Sequence, residues 1–308
     1  MKRLWFHAIL IAFLFSTSLS AQFRLENVVF PLPEVTPHVL TPVAKITFQP
    51  ILEGSAIVKS RIHKNVYWTL NDSGDKARIF AVDSLGHIIK PHWASRRFEG
   101  IEIPDAVNVD WEDIAVDDAG YLYIADTGNN DNTRRDLTIY VVAEPDPHTV
   151  GRTSVLRKIF FRFPDQSAFP PAEKNFDCEA LFWNQGKLYV LTKHRSDTHT
   201  KLYRLDQTEP FRINTATLLG EYDVKGMVTA ADASPDGTKL VVLTYTGVWL
   251  FERPEGNDHF FRGKTYVLPI IAKQCEGICF DGDHLKITNE QRDIYHLSLD
   301  ELIPLQQR

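Results

Sequence analysis

The run DWEDIAVDDAGYLYIADTGNN, residues 110–130, decides the fold. An acidic opening leads into the apolar stretch Ile114 to Val116, residues Asp117 to Gly120 form a turn signal, and Tyr121 to Ala125 leads to a polar exit at residues 126–130. Two short strands about such a turn read as an antiparallel hairpin. Residues 137–142 (LTIYVV) and 155–163 (VLRKIFFRF) supply a third and a fourth strand. Four such strands make one blade of a β-propeller.

The pattern recurs. A third copy runs DCEALFW (177–183), KLYVLTKH (187–194) and KLYRL (201–205); a fourth runs VTAADASPDG (228–237) and KLVVLTY (239–245). A fifth runs CEGICFDG (275–282), HLKITNE (284–290) and DIYHLS (293–298). The first is the least regular: EGSAIV (53–58), VYWTLND (66–72) and RIFAV (78–82). Superposing Gly237 on Gly120 carries Glu112 onto Thr229, so the strand openings are marked by Glu53, Glu112, Glu179, Thr229 and Glu276, spaced 59, 67, 50 and 47 residues apart. A repeat of this length is the signature of a propeller.

The 33 residues from Glu276 onward and the 31 from Gln22 to Leu52 together make one further blade length. The reading is therefore an all-β, five-bladed β-propeller closed by an N-terminal strand, Val43 to Phe48, on the outer edge of the last blade. A six-bladed alternative needs another copy between Ala143 and Asn175.

Lys2 and Arg3 precede an apolar run from Leu4 to Leu19 and small residues ending at Ala21. This predicts a signal peptide over residues 1–21, a single domain over 22–308, and secreted or periplasmic localisation. No second apolar run has that length, so no membrane span is expected in the mature chain. A formal charge of −6 without a basic run argues against a nucleic-acid partner. Cys178, Cys275 and Cys279 are too few for a disulfide framework and read as buried free thiols.

In each blade the inner strand opens, and the second strand ends, at the same face of the disc. The acidic openings therefore meet the exit loops that carry Asn71, Asp72, Asp126, Asn129, Asn130, Lys193, His194, Glu290 and Arg292. Oxygen donors without a His or Cys cluster favour Ca²⁺ over a transition metal. Glu53, Glu112, Glu179, Thr229 and Glu276 are the expected metal ligands; Asn71, Asn129, Asn130, Lys193, His194, Glu290 and Arg292 are the ligand-binding candidates. One divalent ion does not neutralise four carboxylates, so nearby Lys193, His194, Arg195 or Arg292 must assist, or one glutamate is protonated, or not all four reach the ion. Trp111, Trp183 and Trp249 read as packing between blades.

The five strand openings, with CEGICF (275–280) and ITNEQR (287–292) in the last blade, resemble the SdiA-regulated family of bacterial extracytoplasmic propellers. The chain is also similar, more distantly, to five-bladed calcium-dependent apyrases. The resemblance implies an axial Ca²⁺ held by Glu53, Glu112, Glu179, Thr229 and Glu276. It transfers no reaction, since a fold hosts many functions.

Two functions follow as expectations. One is a calcium-binding propeller whose acidic face takes a small molecule or an extracytoplasmic protein. The other is a calcium-dependent hydrolase of phosphoesters, phosphoanhydrides or lactones, with Asp72 or Asp126 as the base.

Overall fold

Asp117 accepts hydrogen bonds from the backbone N–H groups of Ala119 and Tyr121, both at 2.9 Å, and Gly120 takes a positive φ of 83°. This turn joins Trp111–Val116 to Tyr121–Asp126, the first hairpin of the second blade, which continues through Thr138–Ala143 and Val155–Arg162. The structure is a computed structural model that describes residues 35–94 and 97–305. The signal peptide expected over residues 1–21 lies outside the described residues.

The described residues form five sheets. The first blade is Val58–Lys59, Tyr67–Leu70, Arg78–Val82 and Ile88–Ile89, with Ile101–Glu102 also paired to Arg78–Val82. Asp177–Asn184, Lys187–Lys193, His199–Leu205 and Thr217–Asp223 build the third, and Val228–Ala233, Lys239–Thr244, Gly247–Glu252 and Thr265–Ile271 the fourth. The fifth takes Cys275–Asp281, His284–Asn289 and Asp293–Ser298 from the C-terminal side and Ala44–Lys45 from the N-terminal side. Lys45 Nζ adds an ion pair to Asp293 Oδ1 at 3.0 Å. The propeller is thus five-bladed and closed by the strand read at Val43 to Phe48. Residues 143–175 hold the outer strand of the second blade, which disposes of the six-bladed alternative.

Each gap between blades is filled by its own buried cluster. Trp68 and Trp111 belong to the cluster shared by the first and second blades, Phe161 and Tyr203 to the next, and Phe182 and Phe251 to the third. Leu243 and Ile287 belong to the fourth, and Ile57 and Ile294 to the seam where the last blade meets the first. Burying both faces of a blade in this way makes each sheet depend on its neighbours. Trp111 and Trp249 are buried as expected, whereas Trp183 is partly buried under the Arg61 guanidinium, 5.0 Å from the ring centroid.

Two pairings were not legible in the repeat. His38–Val39 runs parallel to the outer strand of the fourth blade, and Ile213–Thr215 leaves the third blade to run parallel to the outer strand of the second. Cys178, Cys275 and Cys279 are free and buried. No helix among the described residues is long and apolar enough to cross a membrane.

Candidate metal centre

In four blades the inner strand carries one extra residue at its start. Trp111 pairs with Asp126 but Asp113 with Ala125; Cys178 with Thr192 but Ala180 with Leu191. Val228 pairs with Thr244 but Ala230 with Leu243; Cys275 with Asn289 but Gly277 with Thr288. The residues left over are Glu112, Glu179, Thr229 and Glu276. A β-bulge re-aims its extra side chain, and all four are buried.

The first blade repeats the irregularity two residues beyond where the sequence places it. Gly54 bridges Asn71 while Val58 pairs with Trp68, which leaves one extra residue between them, and Ser55 N–H bonds the Leu70 carbonyl at 3.3 Å. Ser55 is buried and lines the central cavity, whereas Glu53 is exposed. The ring position of the first blade therefore belongs to Ser55, and the placing of Glu53 there is corrected. A signal was present: Ser55-Ala56-Ile57 matches Glu276-Gly277-Ile278 in having a small residue and then Ile after the ring position. The Glu53-Gly54-Ser55 alignment does not.

Corrected, the ring is Ser55, Glu112, Glu179, Thr229 and Glu276. Both hydroxyls donate to the next blade, Ser55 Oγ to the Trp111 carbonyl at 3.1 Å and Thr229 Oγ1 to the Cys275 carbonyl at 2.9 Å. Two residues before each ring position stands a second column: Glu53, Asp110, Asp177, Met227 and Gln274. Asp110 and Asp177 were missed in the sequence although each precedes its glutamate by two residues, the spacing that returns a strand residue to the same face.

A cavity of about 250 Å³ opens above the ring, lined by Ser55, Asp72, Glu112, Asn130, Glu179, Lys193, Arg195, Tyr245, Gln274, Glu276 and Glu290. Two carboxylate clusters lie in and beside it. Asp72, Asp110 and Glu112 each offer an oxygen within 4.8 Å of the others, and so do Glu112, Asp177 and Glu179. Either cluster could hold a metal ion. The donors are oxygens without His or Cys, the set that fits a hard cation such as Ca²⁺ or Mg²⁺.

Compensation is uneven. Lys193 Nζ pairs with Glu179 Oε1 at 3.1 Å and bonds Tyr245 Oη at 3.0 Å, and Tyr245 donates to Glu276 Oε1 at 2.9 Å. Arg195 holds Asp177 Oδ2 at 2.6 and 2.8 Å and also bonds Asn130. Gln274 donates to Glu276 at 2.9 Å and to Glu290. Glu112 has no such help: burial, then Glu179, Asp72, Asp177 and Asp110, push its carboxyl well above the usual range. Burial and the neighbouring acids Asp72 and Asp177 push Asp110 up to about 6. Burial likewise lifts Glu276 to about 6 against the pull of Lys193. Burial alone would depress Lys193, but Glu179, Tyr245 and Glu276 together hold it above its ordinary value.

Other sequence candidates divide cleanly. Asp72, Asn130, Lys193 and Glu290 line the cavity. Asp126 is buried and occupied, its Oδ1 accepting from the Asp110 N–H at 3.0 Å and from Arg134 at 3.1 Å. Asn71 braces the first blade through Leu52 and Pro50, and Asn129 braces the second against the third through Asp177 and Phe176. His194 turns away to Asp197 Oδ1 at 2.7 Å, and Arg292 is absent from the cavity lining. Arg195, Tyr245 and Gln274, which do line it, come together only through the closure of blades three, four and five.

No protein-family model and no curated protein matches the chain. Among solved structures it is similar to a chain in the crystal structure of the mitotic checkpoint complex, at 12% identity and a TM-score of 0.39, covering 79% of this chain and 61% of that one. It is also similar to the Cps50 (Swd1) β-propeller domain of Myceliophteria thermophila, at 9% identity and a TM-score of 0.40, covering 80% of this chain and 97% of that one. Neither likeness bears on the site.

Proposed function

We propose that this is a secreted or periplasmic calcium-binding propeller whose ring cation forms the floor of a ligand site on the acidic face. The observation that carries the reading is Glu112, 5% exposed and surrounded by acids, facing a cavity far larger than one ion. A water occupies about 30 Å³ of liquid, so a cavity of about 250 Å³ leaves room for an ion and several waters or a small ligand. Glu112, Glu179 and Glu276, with the Thr229 and Ser55 hydroxyls, are the residues to hold the ion. Lys193 and Arg195, which also line the cavity, suit a small anionic ligand. The acidic strand openings shared with the SdiA-regulated propellers support the same reading.

A second reading, a calcium-dependent hydrolase of phosphoesters, phosphoanhydrides or lactones, is favoured by Asp72 standing at the cavity. A bound Ca²⁺ would supply polarisation of the substrate oxygen. Asp72 would orient water, Arg195 and Lys193 would position the anionic group, and Asp126 is removed from consideration by its pairing with Arg134.

Thermal unfolding with EDTA, Ca²⁺ or Mg²⁺ tests the shared premise. The expected result is a rise of the midpoint with Ca²⁺ that E112Q and E179Q remove; an unchanged midpoint overturns both readings. Turnover of nucleotides, aryl phosphates or lactones that depends on Ca²⁺ and is lost in D72N would select the hydrolase; calcium binding with no turnover on any of them selects the binding function.

A further inference from the structure

The ring does not account for all of the uncompensated charge. Asp72 follows the second strand of the first blade, and Asp110 and Glu112 open the inner strand of the second. Their carboxylate oxygens nevertheless converge within 4.8 Å of one another. Among the described residues none of the three pairs with Lys or Arg. Lys193 is committed to Glu179, Arg195 to Asp177, and the nearby Arg134 to Asp126, to Asp136 and to the Gly128 carbonyl.

Two observations separate this cluster from an ordinary group of surface acids. Glu112 is more than nine-tenths buried and faces the cavity, and the side chain set against it there is another carboxyl, Glu179. An uncompensated buried carboxylate of this kind is costly. The cluster is also held in place from outside. Asn108 Nδ2 donates to the carbonyls of Asn71 and Asp72 at 3.2 and 2.9 Å, which ties the first blade's exit loop to the second blade. A Cβ on Gly128 would fall 2.1 Å from Glu112 Oε1 and 2.3 Å from Asp110 Oδ2, so both oxygens pack directly on its bare Cα.

We infer that the acidic face holds two cations sharing the Glu112 carboxylate: one at the ring, and a second between the first and second blades on Asp72, Asp110 and Glu112. This rests on the reading of the ring as a cation site. Asp72 and Asp110 are each half-buried while Glu179 is buried, so the second ion is the more solvent-exposed and the more weakly held. It is the exchangeable one, and two of its three ligands, Asp72 and Glu112, line the cavity that a ligand would enter. The charge balance agrees. Among the described residues, the ion pairs to Asp72, Asp110, Glu112, Asp177, Glu179, Glu276 and Glu290 come from Lys193 and Arg195 alone, an excess of acid that a single divalent ion leaves largely in place.

Calcium titration of the chelator-treated full chain, read by native mass spectrometry and calorimetry, tests this. The wild type is expected to take two ions, the second at least tenfold weaker. D110N should take one, with its affinity within threefold of the wild type's tighter ion, and E112Q should weaken both at least tenfold. Circular dichroism of each variant checks that it is folded. Loading with Mn²⁺ adds an independent readout, because ions sharing a carboxylate in two-metal sites stand roughly 3.5–4 Å apart and couple magnetically. A coupled spectrum in the wild type that reverts to an isolated six-line signal in D110N supports the shared site. One ion in the wild type, two ions in D110N, or two uncoupled Mn²⁺ ions overturn the second site while leaving the ring intact. No ion at all in the wild type overturns the ring reading as well.

Discussion

Lys193 Nζ lies 3.1 Å from Glu179 Oε1, and both side chains are buried. Removing one member of a buried pair leaves the other charge without compensation, at a cost of about 3–5 kcal/mol. Lys193→Met is therefore expected to be strongly destabilised in EDTA. Calcium should recover part of the loss, because the ion takes over the neutralisation of Glu179. Urea unfolding with and without Ca²⁺ measures both; equal losses under the two conditions would mean that the cation does not reach Glu179.

Glu112→Gln should behave in the opposite sense. It removes a buried carboxylate that has no basic partner, so in EDTA the variant should match or exceed the wild type in stability. It should also lose the calcium response, which at 100 times Kd is worth about 2.7 kcal/mol, or roughly 5–10 °C in the midpoint. A variant that is both less stable in EDTA and still calcium-responsive would contradict the placing of the ion on Glu112.

Acid should act with opposite signs on the two forms. Asp110 and Glu276 are each pushed up to about 6, with burial the main cause, and Glu112 and Glu179 move in the same direction. In the metal-free chain the folded state then holds more protons than the unfolded state between about pH 4 and pH 6, so stability rises as pH falls through this range. In calcium the same protons compete with the ion, and affinity should fall by roughly tenfold per pH unit for each proton displaced. Midpoints measured from pH 7.5 to pH 5 should converge. Parallel curves would show that these carboxyls are not the calcium ligands.

The closing seam has its own test. Ile46 is 3% exposed and packs with Ile57, Phe80 and Ile294 in the cluster between the last blade and the first. Ile46→Ala should cost about 2–5 kcal/mol, whereas Val43→Ala, at a position 57% exposed, should be nearly neutral. Urea midpoints of the two variants give the comparison, and similar small losses would indicate that closure does not limit stability.

The repeat, the blade count, the closing strand and four of the five ring positions were legible in the chain, because strands alternate with a period of two and Asp–Gly turns are local chemistry. Ser55 was not placed, because choosing the glutamate at position 53, two residues upstream, overrode the small-then-Ile pattern that marks it. The pairing of Lys193 with Glu179, the tie from Asn108 to the first blade and the convergence of Asp72 on Asp110 and Glu112 were decided only in three dimensions. These groups lie on different strands or blades, and the distance between them is set by how the blades pack around the axis. Local sequence determines which face a side chain takes within its strand. Only the closed ring determines which charges are left without a partner.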